Sequence, residues 1–381
     1  MRESKNEKRI QRAVAFVCAT MFVVFSFVFL AVYQGPLLEI FYDKVANGKL
    51  QYNPFVVAGV ITLILTSFAL WLNTLVHFKR EWTAITYFPS CIILSFITDI
   101  DRAIYTGEYS CLKWVLVFII SILLCLLFIF IFNRLLFAKI KNPNMEGYRI
   151  VWRNLLILSL MFVLTGTLSS DNEDIKNEAR AYCYYKRGDI DRALNVARRT
   201  VSASHELTSS RAYYLALADK LGESLFNYPQ NFASQGLLPK ADQTTPLAND
   251  SIYSLFPVER VATESVADYL RRAVATDSVN KSVADYYLSS LLLDRHLDEF
   301  VANLPEYYNI ADDTLPRHYK EAVALYSDVA CDSTIAVDEA VMEKYIDFRK
   351  IEQKYPDILS RSNRVRYKYG NTYWYYYHYG N

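Results

Sequence analysis

The sequence predicts an all-α protein in two parts: a polytopic membrane helix bundle, then a soluble stack of paired helices forming an irregular α-solenoid. Three observations predict it. Up to Leu168 the apolar residues come in runs of about 20, long enough to cross a hydrocarbon core. Beyond it they recur every three or four residues among charges, the period of an amphipathic helix. Between the two lies the stretch from Asn133 to Asp174. It has a basic start (Arg134, Lys139, Lys141, Arg149, Arg153), an apolar middle and an acidic exit, as in a last crossing from inside to outside.

The 381 residues leave room for two folding units. The averages, 52% hydrophobic and 21% charged, blend two unlike halves. A net charge of +1 gives no electrostatic footprint for nucleic acid, so no such partner is expected. The six cysteines form no CxxC or Cys/His cluster, which argues against a metal site. Cys18, Cys91 and Cys125 act as small hydrophobes inside apolar runs.

Residues 1–12 read as a basic cytoplasmic tail. Residues 13–33 carry no charge and are long for a cleavable signal, so they read as a retained anchor. Gly35-Pro36 breaks that helix, and Leu37 to Val45 suits a short helix at the interface. Residues 55–77 form a second span. Residues 82–98 are short and contain Pro89, so a crossing and a re-entrant hairpin both fit them. Residues 114–133 and 151–168 supply the fourth and fifth spans, which completes a transmembrane domain over 13–168.

Basic residues concentrate in the tail, at Lys79-Arg80 and in the Arg134–Arg153 loop. That places the N-terminus in the cytoplasm and the soluble part outside; if 82–98 does not cross, the order reverses. The apolar cores hold no Asp, Glu, Lys or Arg, which favours anchoring over ion-coupled transport.

The soluble domain covers 171–366. Asp171 or Asn172 caps its first helix, Gly188-Asp189 turns the chain, and Ile190, Ala193, Leu194, Ala197 and Val201 line a second helix. The run Tyr184-Tyr-Lys-Arg-Gly-Asp-Ile-Asp-Arg-Ala-Leu194 resembles the heart of a tetratricopeptide (TPR) repeat. Asn177 departs from it where Trp is usual, and His205 where Pro is usual. The resemblance implies a TPR-like domain with Glu178, Tyr182, Tyr185 and Lys186 on the groove side of its first helix. These are the candidate binding residues for a protein or peptide partner.

A helix over 207–226 follows, then a Pro- and Asn-rich stretch over 227–257 that is either a functional loop or a strap. Further helices run through Val266 to Val274 and Val283 to Leu291, with a partner beginning at Leu297. That repeat is degenerate, because Phe300 stands where a small residue belongs. Thr314 caps and Pro316 opens another helix, and Val337 to Phe348 mark the last clear one. Residues 367–381 are an aromatic tail. Packing on the last helices is its foremost reading, ahead of the bilayer headgroups or a docking site.

The wider pattern resembles a family of uncharacterised inner-membrane proteins of Bacteroidota bacteria. It does so at Leu215-Ala-Leu-Ala218, Phe226-Asn-Tyr-Pro-Gln230, Gly236-Leu-Leu-Pro239, Leu315-Pro-Arg-His-Tyr-Lys-Glu-Ala322 and Gly370-Asn-Thr-Tyr-Trp-Tyr-Tyr-Tyr377. The resemblance implies this architecture in a Gram-negative inner membrane and carries no mechanism.

The five histidines are scattered, and no HExxH, phosphate loop or GxSxG occurs. Asp312-Asp313 sits at a helix start, where negative charge belongs. No catalytic residue, cofactor or metal is expected. Cys183 and Cys331 would both lie outside the cytoplasm, where a disulfide can form, although two buried thiols are the commoner outcome. The functional expectation is a membrane-anchored scaffold that binds a protein or peptide in the periplasm. The alternative is a small transporter or membrane lipid-processing enzyme with a regulatory repeat domain, for which Asp99, Asp101 and Arg102 are the one cluster available.

Overall fold

The computed structural model describes residues 2–45, 52–76, 80–100, 115–116, 119–120, 123, 146–170, 172–200, 202–240, 246–247, 249–261, 263–277, 279–310, 312–330 and 337–380. Every regular element among them is helical. The chain divides into two compact units, Met1–Lys176 and Asn177–Asn381. Most of the expected fourth span, 114–133, lies outside the described residues, as do Asp101, Arg102, Val201 and Cys331.

In the first unit, α1 (Arg2–Val28) continues through one π turn, Phe29–Tyr33. Residues 2–12, expected as a tail, are therefore the first turns of this helix. The reason is local: Lys, Arg, Glu and Gln are good helix formers, and no Gly or Pro intervenes. α2 (Gly35–Val45) places Pro36 in its first turn, where the missing N–H costs nothing. α3 (Pro54–Val76) is capped by Asn53, whose Oδ1 accepts from Phe55 N at 3.1 Å. A 3₁₀ segment, Arg80–Tyr87, leads into α4 (Phe88–Thr98), and α5 (Glu146–Leu168) closes the unit's long helices. Among the described residues, three stretches are long and apolar enough to cross a membrane: Arg12–Tyr33, Pro54–Thr74 and Tyr148–Leu168.

The short third segment forms no hairpin. Ala84 N donates to Asn154 Oδ1 at 2.8 Å near the start of α5, and Ser170 N donates to Thr98 O at 3.3 Å just beyond its end. The segment thus runs beside α5 in one direction from end to end. Its 3₁₀ turns rise about 2.0 Å per residue against about 1.5 Å in an α-helix, which gives few residues a long reach.

The second unit begins within α6 (Glu173–Lys186). Asn172 caps this helix through Oδ1, which accepts from Asp174 N at 3.0 Å. Gly188 turns the chain at φ 78°, a left-handed conformation that glycine adopts without strain. α7 (Ile190–Asn195) follows. It is much shorter than expected, because Ala197 is left-handed at φ 50° and leaves the helix. The helix expected over 207–226 is also divided. α8 (His205–Leu217) ends before Asp219, at φ 52°, and α9 (Leu221–Ser224) restarts beyond it.

The described residues of the 227–257 stretch form an ordered strap. Its 3₁₀ turn, Ala233–Leu237, packs on α8, and Ser234 N donates to Asp294 Oδ1 at 3.0 Å. α10 (Asn249–Tyr253) lies within the strap.

Then come α11 (Val266–Thr276), α12 (Lys281–Leu293), α13 (Leu297–Tyr307), α14 (Arg317–Val329), α15 (Glu339–Lys354), α16 (Ile358–Tyr369) and α17 (Tyr373–Tyr379). Pro316 is the N-cap of α14 and Thr314 is not; Thr314 belongs to a preceding turn in which its N–H donates to Asp312 Oδ1.

Each of these helices packs on the next, but the packing is not one-dimensional. α12 also meets α8, α9 and the strap, and α14 meets α9 and α17. Accordingly α8 and α12 are buried on all sides. In a simple solenoid each unit touches only its neighbours.

Candidate functional site

The four candidate binding residues do not form one free face. Glu178 is buried and accepts from Ser204 Oγ at 2.6 Å. Tyr185 stacks on Tyr214, with ring centroids 4.7 Å apart, in the core of the unit. Tyr182 is half-buried and packs on the same core, and only Lys186 is exposed. Cys183 is buried. Asp312 caps a turn at Thr314 N, and that bond holds its carboxyl below the usual range. Of the Asp99, Asp101 and Arg102 cluster, the described residues include only Asp99.

The structure builds a different site, where three segments remote in sequence meet. The first is the turn after α7. Thr200 Oγ1 donates to Ala197 O at 2.8 Å, which holds the turn that presents Arg198 and Arg199. The second is the loop from Asn227 to Asn231. Tyr228 is extended there, as a residue before proline must be, and Gln230 Nε2 ties the loop to Leu225 O at 2.9 Å. The third is the end of α16 with α17. Thr372 caps α17, and Tyr376 OH donates to Leu293 O at 2.7 Å. Arg295 adds a bond to Gly380 O.

These walls enclose a pocket of about 300 Å³. Arg198, Arg199 and Arg366 supply its charge, and Tyr228, Tyr375 and Tyr379 its rings. Among the described residues no Asp or Glu lines it, and none of the three arginines is ion-paired.

Arg211 stands behind the Tyr228 wall. It is 2% exposed, and its guanidinium lies 4.8 Å from the Tyr228 ring centroid. Its Nη2 donates to Val196 O at 2.8 Å, whereas Nε and Nη1 have no hydrogen-bond partner among the described residues. Burial pulls its pKa down to about 10, with Tyr228 acting in the opposite sense, so it remains a cation near neutral pH. Arg198 lies 5.8 Å from the same ring. Burial raises the Tyr228 hydroxyl, against the opposing pull of Arg198 and Arg211. The nearby carboxylate, Asp191, is exposed and pairs with Lys220 at 3.7 Å.

Sequence reasoning missed this site because its charges come from three separate elements in no motif spacing. Its one visible signal was the pair of unusual stretches Phe226–Gln230 and Gly370–Tyr377, which meet here: Phe226 lies 5.1 Å from the Tyr373 ring and 5.0 Å from the Tyr376 ring. No group of three or more potential metal ligands occurs among the described residues.

The model of a family of unknown function (DUF6057) matches residues 6–256 and 258–380. No curated protein and no solved structure matches the chain.

Proposed function

The chain belongs to that family of unknown function, and for it we propose a membrane-anchored binding protein whose second unit recognises a protein or peptide outside the cytoplasm. The observation that carries the binding role is the arginine- and tyrosine-lined pocket at the C-terminal end of the fold. Pockets with a few convergent polar groups are the usual seats of recognition, and buried aromatics and arginines dominate binding energy.

Membrane anchoring is supported by the large apolar side chains that the first unit's helices present outward. Its helices bury small and polar residues such as Ser26, Ala58, Thr62, Ala69, Ser90 and Thr165, while Phe16, Leu63, Ile64 and Val163 face outward. Helices in lipid pack through small residues and hydrogen-bonded hydroxyls in this way; Ser90 Oγ, for example, donates to Leu65 O at 2.9 Å.

In this reading the segment over 82–98 is a full crossing, because it follows α5 from Asn154 to Ser170. With the fourth span, five crossings carry the chain from a cytoplasmic N-terminus to a periplasmic second unit of a bacterial inner membrane. The serial packing of α11 to α17 supports an irregular, TPR-like helical stack.

A photo-crosslinking residue in place of Tyr375, half-buried in the pocket wall, tests the binding role in intact cells. The expected result is a discrete mass-shifted adduct at Tyr375 and none at Tyr367, which is 95% exposed and does not line the pocket. Irradiation that gives the same diffuse background at both positions contradicts the binding role.

A further inference from the structure

We propose that the pocket binds a tetrahedral oxyanion of the phosphate or sulfate type. This rests on the reading of the pocket as the binding site, and it names the chemistry of the group bound there.

The first ground is convergence. Arg198 and Arg199 come from the turn after α7, and Arg366 comes from α16 on another wall. A planar carboxylate is satisfied by one bidentate guanidinium fork. Guanidinium groups arriving from two walls match an anion whose oxygens point in several directions. The second ground is the absence of counter-charge: among the described residues no carboxylate lines the pocket and none pairs with its arginines.

The third ground is Arg211. A buried cation without a carboxylate partner is costly and persists where another demand holds it in place. This one keeps two donors unsatisfied, directly behind the ring that forms the pocket wall. Its charge and that of Arg198 meet at Tyr228 and add to the potential inside. The tyrosine rings give an apolar face to whatever carries the oxyanion.

The test uses the full-length protein in nanodiscs of uncharged phosphatidylcholine. Inorganic phosphate, sulfate and, at matched ionic strength, chloride are titrated while thermal unfolding is followed. A parallel series replaces part of the phosphatidylcholine with phosphatidylglycerol.

Saturable stabilisation by phosphate or sulfate but not chloride supports a free oxyanion. Stabilisation confined to the phosphatidylglycerol discs supports the same chemistry on a lipid headgroup. In either case Arg366→Gln should weaken the response on the order of tenfold, and the Arg198→Gln, Arg199→Gln, Arg366→Gln triple variant should abolish it. All three side chains are exposed, so the variants keep the parent's unfolding temperature without ligand.

No response in any arm overturns the proposal, as does a response that survives in the triple variant. A Tyr375 adduct without an oxyanion response sinks this proposal alone. The loss of both removes the pocket as a binding site.

Discussion

At the scale of single residues, the second unit is held together by buried polar groups that cross-link distant segments. His318 is one of them. Phe226 N donates to its Nε2 at 3.3 Å, so the imidazole proton sits on Nδ1 and is donated to Glu321 Oε2 at 2.9 Å. Glu321 also accepts from Tyr373 N at 2.8 Å and from Arg317 Nε at 2.8 Å. Burial pushes its carboxyl up, but His318, Arg317 and the Tyr373 N–H outweigh burial and hold it below the ordinary value.

A folded-state pKa below the unfolded one gives stability that is fully present above the unfolded value. That stability is lost as pH falls through the folded value. Wild-type protein should therefore lose thermal stability steeply below about pH 4.3, the ordinary glutamate value. Glu321→Gln should be less stable at pH 7, by about 1.5–3 kcal/mol for the weakened hydrogen bonds to a charged group, and flatter in acid. Parallel acid limbs in the two proteins contradict this role.

Asp285 shows the opposite balance. Burial raises its carboxyl despite hydrogen bonds from Tyr308 at 2.6 Å and Tyr319 at 2.9 Å. Arg317 and His318 stand at helical spacing from Glu321, but the pairings between segments were not legible in the sequence, since their partners lie up to 92 positions apart.

At the scale of elements, helices with a strong apolar period were readable and the others were not. α11 follows the 3.6-residue spacing of Val266, Tyr269, Leu270, Ala273 and Val274, all of them buried. α16 escaped notice because it buries only Val365 and Tyr369, while Ile358 and Leu359 lie exposed. α7 is short because Arg211 takes the carbonyl of Val196 and Ala197 turns left-handed, a tertiary event that no local pattern announces.

The aromatic tail has a geometry that its composition did not announce. Its residues form a capped helix, α17, that buries Tyr373, Trp374 and Tyr376. Trp374 Nε1 donates to Glu321 O at 2.7 Å, so the helix is fastened as well as packed. Trp374→Ala should cost about 3–5 kcal/mol, a fall of roughly 6–20 °C in melting temperature for a unit of this size. An unchanged melting temperature would show that α17 is dispensable. The pocket would then lack a rigid wall.

At the scale of the whole molecule, composition alone separated an apolar first part from an amphipathic second part. The two compact units divide near that boundary, at Lys176. What composition could not give was the form of the segment over 82–98, because helix type, and hence reach per residue, depends on how Trp82 and its neighbours pack. Trp82 leaves helical geometry at φ −127°, and the Arg153 guanidinium lies 5.1 Å from its ring. The proposed number of crossings, and with it the side on which the second unit works, depends on that segment.

The most direct measurement is a pair of fusions after Asn381, one to alkaline phosphatase and one to a green fluorescent protein that folds only in the cytoplasm. Five crossings from a cytoplasmic N-terminus predict an active phosphatase and a dark fluorescent protein. A bright fluorescent protein with an inactive phosphatase would place the arginine pocket in the cytoplasm and contradict the account.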